Sequence, residues 1–242
     1  MSKLKIYQPN DIGQDFICSD IHGHFALLEA HLASVGFDKT KDRLFCLGDL
    51  IDRGDESSLA LDYLNQPWFY SILGNHELML IEACEINKDH VMQQWYRWGG
   101  DWAEDLSNEE LKPFYDVMVR LPMAIELNLN SGMKVGLVHA ELPLECSWND
   151  VCLVLSAKST TDNSTYTPLL QGMFWNKGQS DSIEAALGEI EPVDLVDHIF
   201  HGHTIVRDIR RCANRTFMDL GGYETGFLGL VNVESYMNKI KL

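Results

Sequence analysis

Residues 44–55 read LFCLGDLIDRGD. An apolar run ends in Gly48-Asp49, and Asp52, Arg53 and Gly54 follow almost at once. A core strand that runs into two carboxylates and a guanidinium is costly unless strong partners meet those charges. Four further segments share the design: FICSDIH (16–22), FYSILGNHE (69–77), KVGLVHA (134–140) and DHIFHGH (197–203). Each is a short core-type run closed by Asp, Asn or His, the pattern of a buried strand bounded by polar residues.

The stretches between them carry helical periodicity. HFALLEAHLASVGF (24–37) places Phe25, Leu28, Leu32 and Val35 on one face with Gly36 as a stop, and SSLALDYL (57–64) reads as a second helix. Strand, helix, strand, helix, strand is an α/β pattern, in which ligands gather beyond the carboxyl ends of the strands. Residues from about 78 to 122 read as a helical, tryptophan-rich cap (WYRWGGDW at 95–102) on a single domain spanning 1–242. Ser107 and Glu110 form a capping-box pattern, and Leu111, Phe114, Tyr115, Met118 and Val119 make an apolar stripe that stops near Pro122. The Trp cluster, with Asp101 and Trp102, is assigned to packing. SAKSTTDNSTYTP (156–168) reads as a mobile loop, and the alternation in GFLGLVNVESY (226–236) as late strands of a second sheet.

Composition narrows the function. The 242 residues are 45% hydrophobic and 23% charged, enough for one soluble domain with a large core. No apolar run reaches membrane-spanning length, and the opening MSKLKIYQPNDIG lacks a signal-peptide core, so the expected compartment is the cytoplasm. The six cysteines form no CxxC; Cys18 and Cys46 sit in strand runs as small hydrophobes. A formal charge of −17 argues against general binding to nucleic acid or to an anionic membrane. An anionic substrate would need local positive charge to reverse that field. Nothing in the pattern indicates an oligomeric state.

Asp20, His22, Asp49, Asn75, His76, His139 and His203 are the polar residues at the strand ends. Hard oxygen plus imidazole without thiolate suits manganese, iron or zinc rather than calcium. One carboxylate can bridge two cations about 4 Å apart, the arrangement used for in-line displacement at phosphorus. Asp49, between the first-strand and third-strand ligands, is the natural bridge. Arg53 can hold two phosphate oxygens through its fork. Asp52 beside it can hold a histidine cationic, ready to act as general acid. Glu77 reads as support at a helix start rather than a ligand. His24, His31, His90 and His198 read as helix or surface histidines.

Asp20-Ile21-His22-Gly23, Gly48-Asp49-Leu50-Ile51-Asp52-Arg53-Gly54, Gly74-Asn75-His76-Glu77, Val138-His139-Ala140 and Gly202-His203-Thr204 resemble the signature blocks of the PPP-type, calcineurin-like metallophosphoesterases. The similarity is greatest to the lambda-phage and bacterial serine/threonine protein phosphatases and runs over roughly residues 16–235. The resemblance implies a β-sandwich of two mixed sheets with flanking helices around a βαβαβ core. It also implies two divalent ions, manganese first, with iron or zinc as alternatives. Asp20, His22 and Asp49 would hold one ion; Asp49, Asn75, His139 and His203 would hold the other. A metal-activated hydroxide would attack phosphorus directly, without a phospho-enzyme. Arg53, with Asn75, would bind the phosphoryl oxygens, and His76, oriented by Asp52, would protonate the leaving alkoxide. The implied substrates are phosphoproteins or phosphopeptides bearing phosphoserine or phosphothreonine, with phosphotyrosine and small aryl phosphates in second place.

Three positions depart from the family pattern. Ser19 stands where Gly is usual, and His201 stands where an apolar residue is commoner, as a core histidine or one approaching the metals. Lys177 in FWNKG replaces a second phosphate-binding Arg, which keeps the charge but loses the bidentate fork. The nearest rival function is symmetrical dinucleoside tetraphosphate hydrolysis; that group departs from the Asp52-Arg53-Gly54 block and carries Asp where this chain has Glu77. A non-catalytic metal- or phosphate-binding module is the rival of another class, and it would have no use for a leaving-group acid.

Overall fold

The computed structural model describes residues 3–156, 163–179 and 190–240. Period-2 burial sets its layers. In β2 (Asp15–Cys18) and β3 (Arg43–Cys46), Phe16, Cys18, Leu44 and Cys46 face one way, into a cluster with Phe25, Leu28 and Leu32 of helix α1 (Phe25–Ser34). Ile17 and Phe45 face the other way and meet Ile125, Leu127, Val135, Leu137 and Phe200 from a second sheet. These strands are buried on both faces, which is why they read as continuous apolar runs.

Two mixed sheets result. The four-stranded sheet has the order β10-β2-β3-β4, with β4 at Phe69–Ser71 and β10 at Leu230–Asn232; β2, β3 and β4 run parallel. Helix α1 lies in the first crossover and the short α2 (Ala60–Leu64), entered through a 3₁₀ turn at Ser57–Leu59, lies in the second. The six-stranded sheet has the order β1-β5-β6-β7-β9-β8, from β1 (Leu4–Tyr7), β5 (Ala124–Asn128), β6 (Lys134–Val138), β7 (His198–Ile205), β8 (Arg210–Cys212) and β9 (Arg215–Asp219). Its outer face packs Val138 and Ile199 on Trp148, Val151 and Met173 of α6 (Trp148–Ser156) and α7 (Asn163–Trp175). The expected architecture of two mixed sheets with flanking helices is what the chain adopts.

The tryptophan-rich stretch folds as α3 (Asn75–Ile86), α4 (Asp89–Arg97), a 3₁₀ turn at Gly100–Ala103 and α5 (Asn108–Met118). Ser107 and Glu110 cap α5 reciprocally, and Leu111, Phe114 and Met118 are its buried stripe; Val119 lies past the end and is exposed. Among the described residues, no helix is long and apolar enough to cross a membrane.

Several expectations need correction. Val35 lies beyond α1 and is exposed, because the helix closes at Ser34. Residues 163–168 of the expected loop are helical, the opening of α7; Asn, Ser and Thr suit a helix start as well as a loop. Ser156 closes α6, and the rest of that stretch, 157–162, lies outside the described residues. In 226–236 only Leu230–Asn232 is strand, and it pairs antiparallel with β2 in the same sheet as the first three core strands. The chain then turns into a helix, Val233–Ile240, that buries Val233 and Met237 four residues apart, so a period of 2 gives way to helical spacing.

His198 is neither helical nor superficial: it is buried in β7 with Nε2 2.7 Å from Thr216 Oγ1. Burial first, then Arg211, pulls its pKa down from 6.5 to about 4. The unfolded chain therefore takes up this proton first, so the stabilising contribution is present above pH 6.5 and is lost as pH falls towards 4. At pH 4.5 that loss is about 2 kcal/mol. In His198→Gln, the difference in urea-unfolding free energy between pH 7 and pH 4.5 is expected to shrink by about that amount. An unchanged difference would remove His198 from the acid response.

Candidate active site

Glu77 begins the site. Its buried carboxylate accepts four backbone N–H groups: Asp49 at 2.9 Å, Leu50 at 2.7 Å, Ile51 at 3.3 Å and Gly74 at 2.9 Å. One side chain in the first turn of α3 thus ties the loop after β3 to the loop after β4. The backbones touch there: a Cβ on Gly48 would lie 2.7 Å from Gly74 Cα, and one on Gly74 would lie 2.2 Å from Asp49 Oδ1. The loop after β2 joins the same knot, where Ile21 and His22 N–H groups both donate to the Asp49 carbonyl, at 3.0 and 2.8 Å.

Around the knot the backbone is forced. His22, Asp49, Asp52, Arg53 and His203 all hold positive φ, between 46° and 73°. Non-glycine residues rarely adopt this region, and where they do the surrounding structure has to over-determine them. His203 is not at a strand end, as expected, but inside β7, where the register against β9 shifts between His201 and Ile205 and re-aims the side chain.

The predicted residues come together. His22 Nε2 lies 3.6 Å from Asp49 Oδ2, His76 Nε2 4.0 Å from the same oxygen, and His139 Nε2 3.5 Å from Asp49 Oδ1. Asn75 Oδ1 is 2.8 Å from His139 Nε2, and Asp20 accepts the His203 N–H with both oxygens, at 3.1 and 3.0 Å. Two groups of potential ligand atoms within 4.8 Å of one another share Asp49: His22, Asp49 and His76, and Asp49, His139 and His203. The first includes His76 where the sequence had placed Asp20.

The donor set fits divalent cations. His22 and His139 each turn Nδ1 to a backbone carbonyl, Ile51 at 3.1 Å and Leu47 at 2.7 Å, which leaves Nε2 as the lone-pair nitrogen. His203 Nε2 is buried without a hydrogen-bond partner. Burial holds His22, His139 and His203 below the ordinary imidazole range, His203 at about 3, so each keeps its lone pair. Asp20 shows the complementary tension: burial, then Asp219 and Asp49, pushes its pKa well up. Opposite charge placed among these groups removes both penalties.

Asp52 lies behind the ligands. Its Oδ2 is 2.8 Å from His76 Nδ1 and 2.8 Å from the Trp95 indole nitrogen, and its Oδ1 accepts Trp102 Nε1–H at 2.8 Å. Burial opposes charge on His76, but Asp49 and Asp52 outweigh it and raise the pKa of His76 above 6.5. Arg53 reaches across with Nη1 2.9 Å from His22 Nε2 and Nη2 3.1 Å from His76 Nε2, and its guanidinium lies 4.4 Å from the centre of the Tyr223 ring. Gly99, held at φ 108°, accepts the Arg53 N–H at 2.8 Å, so the turn after α4 docks on this residue. Asp20, His22, Asp49, Arg53, Asn75, His76, Lys177 and His203 line a cleft of about 280 Å³, with Trp98, Trp175, Ile205, Met79 and Tyr223 as its apolar walls. Exposed Lys177 lies at its mouth. His201 does not reach it: the ring stacks on Phe217 and Nδ1 bonds the Ala140 carbonyl, as a core histidine.

Comparison with known proteins bears on the fold and chemistry together. The family model of the calcineurin-like phosphoesterases matches residues 16–207. The chain belongs to this family. Serine/threonine-protein phosphatase 2 of Escherichia coli (strain K12) is 31% identical over 223 residues, covering 90% of this chain and 92% of that one. A symmetrical bis(5'-nucleosyl)-tetraphosphatase of Pseudomonas fluorescens (strain SBW25) is 28% identical over 66% of this chain but only 55% of its own length. Among solved structures, a putative diadenosine tetraphosphatase superposes with a TM-score of 0.60 at 21% identity, covering 95% of this chain and 93% of that one, a likeness of fold. The chain is therefore a phosphoesterase of a family that uses a dinuclear metal centre.

Sequence reasoning missed four participants. Trp95 and Trp102 were assigned to packing, yet both indoles donate to Asp52. Tyr223 and Asp219 follow β9 in FMDLGGY, another core run closed by a polar residue and glycines, and that shared design was the available signal. Asp219 is buried, and its pKa is pushed up to about 6 by burial and by Asp49.

Replacing Glu77 by Gln would aim an amide NH₂ at two of the four N–H donors. Loosening of the two loops is expected to weaken Mn²⁺ binding, read by calorimetry, about 10- to 100-fold, the usual cost of losing a group that orients ligands. Unaltered affinity would show that Glu77 serves stability alone.

Proposed function

We propose that this phosphoesterase is a two-metal serine/threonine protein phosphatase working in the cytoplasm, with manganese as its first-choice ion. The observation that carries the reading is the buried His76–Asp52 pair, clamped by two indoles and opening onto a cleft beside two cation-ready clusters. A module that only bound metal or phosphate would need no acid held in that position. The hard-oxygen and imidazole donors suit manganese, and the near-complete match in length to serine/threonine phosphatase relatives supports the substrate class.

Asp20, His22, Asp49, Asn75, His139 and His203 would hold the ions, with Asp49 shared. Bound there, the ions would acidify water to a nucleophile at neutral pH and neutralise phosphoryl charge. The chain's own groups do the rest. Arg53 exchanges its two imidazole contacts for two phosphoryl oxygens, aided by Asn75, and Lys177 adds charge at the mouth. His76 keeps Nδ1–H on Asp52 and presents the proton on Nε2 to the leaving alkoxide.

Symmetrical dinucleoside tetraphosphate hydrolysis is the second reading, favoured by the tetraphosphatase relative of 28% identity. Assays of a phosphoseryl peptide beside diadenosine tetraphosphate, after chelation and after Mn²⁺ add-back, separate the two. Peptide turnover restored by metal is expected; turnover of the tetraphosphate alone would replace the first reading with the second.

His76→Asn is expected to retain Mn²⁺ yet lower kcat on the phosphoseryl peptide by about 10²-fold or more, with a smaller loss on p-nitrophenyl phosphate, whose leaving group needs no proton. Equal losses on the two substrates would exclude His76 as the acid.

A further inference from the structure

Beyond the cleft, β7 leads into a second groove. Ile205 forms a wall of both, and past it a groove of about 470 Å³ is lined by Arg207, Arg210 and Arg211, with Asp208 as its acidic member. The chain has 19 lysines and arginines against 36 acidic residues, yet three of those cations fall within 207–211. Arg207 and Arg211 are exposed and Arg210 half-buried; Arg211 also donates to the Ile240 carbonyl at 3.1 Å. The cluster is a local reversal of the global field, and it opens beside the catalytic cleft.

We infer that this groove is a subsite for acidic side chains flanking the phosphorylated residue of a peptide substrate. The inference rests on the phosphoprotein reading above and deepens it. Reach supports the placement. Ile205 lies two residues along the strand from His203, a span of about 7 Å. An extended peptide with phosphorus near His203 and Asp49 would cross Ile205 after about two residues. A side chain two to four positions from the phosphoserine then enters the groove. Charge complementarity supplies the selection. A peptide rich in Asp or Glu is repelled by a surface of net −17, and an exposed charge is screened beyond about 10 Å at 0.1 M salt, so the nearby arginines dominate at contact. Apolar Ile205, 45% exposed, separates the two anion sites and offers the connecting backbone a neutral surface.

The test compares phosphoseryl peptides identical except for Glu or Gln at the two to four positions on either side of the phosphoserine, with p-nitrophenyl phosphate as reference. Wild-type enzyme is expected to favour a Glu-flanked peptide about five- to tenfold in kcat/KM at low salt, and to lose that preference at 0.5 M salt, where the screening length is about 4 Å. Arg207→Glu/Arg211→Glu should abolish or invert the preference with p-nitrophenyl phosphate turnover unchanged, and Arg207→Lys should retain most of it. Equal turnover of Glu and Gln peptides by wild type, or a preference that survives charge reversal, overturns the inference while leaving the phosphatase reading intact. Turnover of p-nitrophenyl phosphate with neither peptide hydrolysed overturns both. A parallel fall on the small substrate in the reversed variant would assign the arginines to the fold.

Discussion

The Glu77 carboxylate is the contact on which the site depends. Buried, it gathers N–H groups from the loops after β3 and β4, and so sets where Asp49, Asn75 and His76 can be. Burial and then Asp49 push the Glu77 pKa up to about 7 against the pull of the Gly74 and Leu50 N–H groups, and each of the four N–H groups left alone would cost about 1–3 kcal/mol. The loop after β2 then hangs on the Asp49 carbonyl and delivers His22. Side chains from three parallel strands are held through one residue that touches no reacting group.

That arrangement explains why so much was legible in the sequence and why some was not. Strands buried on both faces and closed by polar residues are conspicuous in a linear reading, and the blocks ending at Asp20, Asp49, Asn75 and His139 could be placed from them. Helices α1 and α5 announced themselves by spacing and by the Ser107–Glu110 cap. What escaped was long-range. The link from Asp52 to Trp95 and Trp102 spans 43 and 50 residues, and an indole that donates a hydrogen bond looks in sequence like one that only packs. The bulge that re-aims His203 depends on the register of β7 against β9, which no run of residue types encodes.

Strain and charge are coupled in this design. Five non-glycine residues in the left-handed region would each add an energetic cost of order 1–3 kcal/mol to a domain whose net stability is only about 5–15 kcal/mol. Knots of hydrogen bonds such as those at Glu77 and Asp52 hold that strain in place. Burial, with Asp219 and Asp49 close by, raises the proton affinity of Asp20, and burial with Asp49 does the same for Asp219, whereas the surrounding histidines overcome burial and hold Asp49 well below the usual carboxylate range. Buried carboxylates and lone-pair imidazoles are therefore crowded together where the backbone is most distorted, and divalent cations held there would relieve the electrostatic cost.

The overall acidity of the protein follows the same logic at larger scale. A net charge of −17 would repel phosphate esters from most of the surface, which suppresses unproductive anion binding away from the site. Positive charge is instead concentrated where it can act: at Arg53, fixed by Gly99 and Tyr223 over the cleft, at Lys177 on its mouth, and in the arginines beyond Ile205. On the phosphoprotein reading proposed above, selectivity among phosphorylated chains would turn on contacts within about one Debye length of phosphorus, because the wider field discriminates against all anions alike.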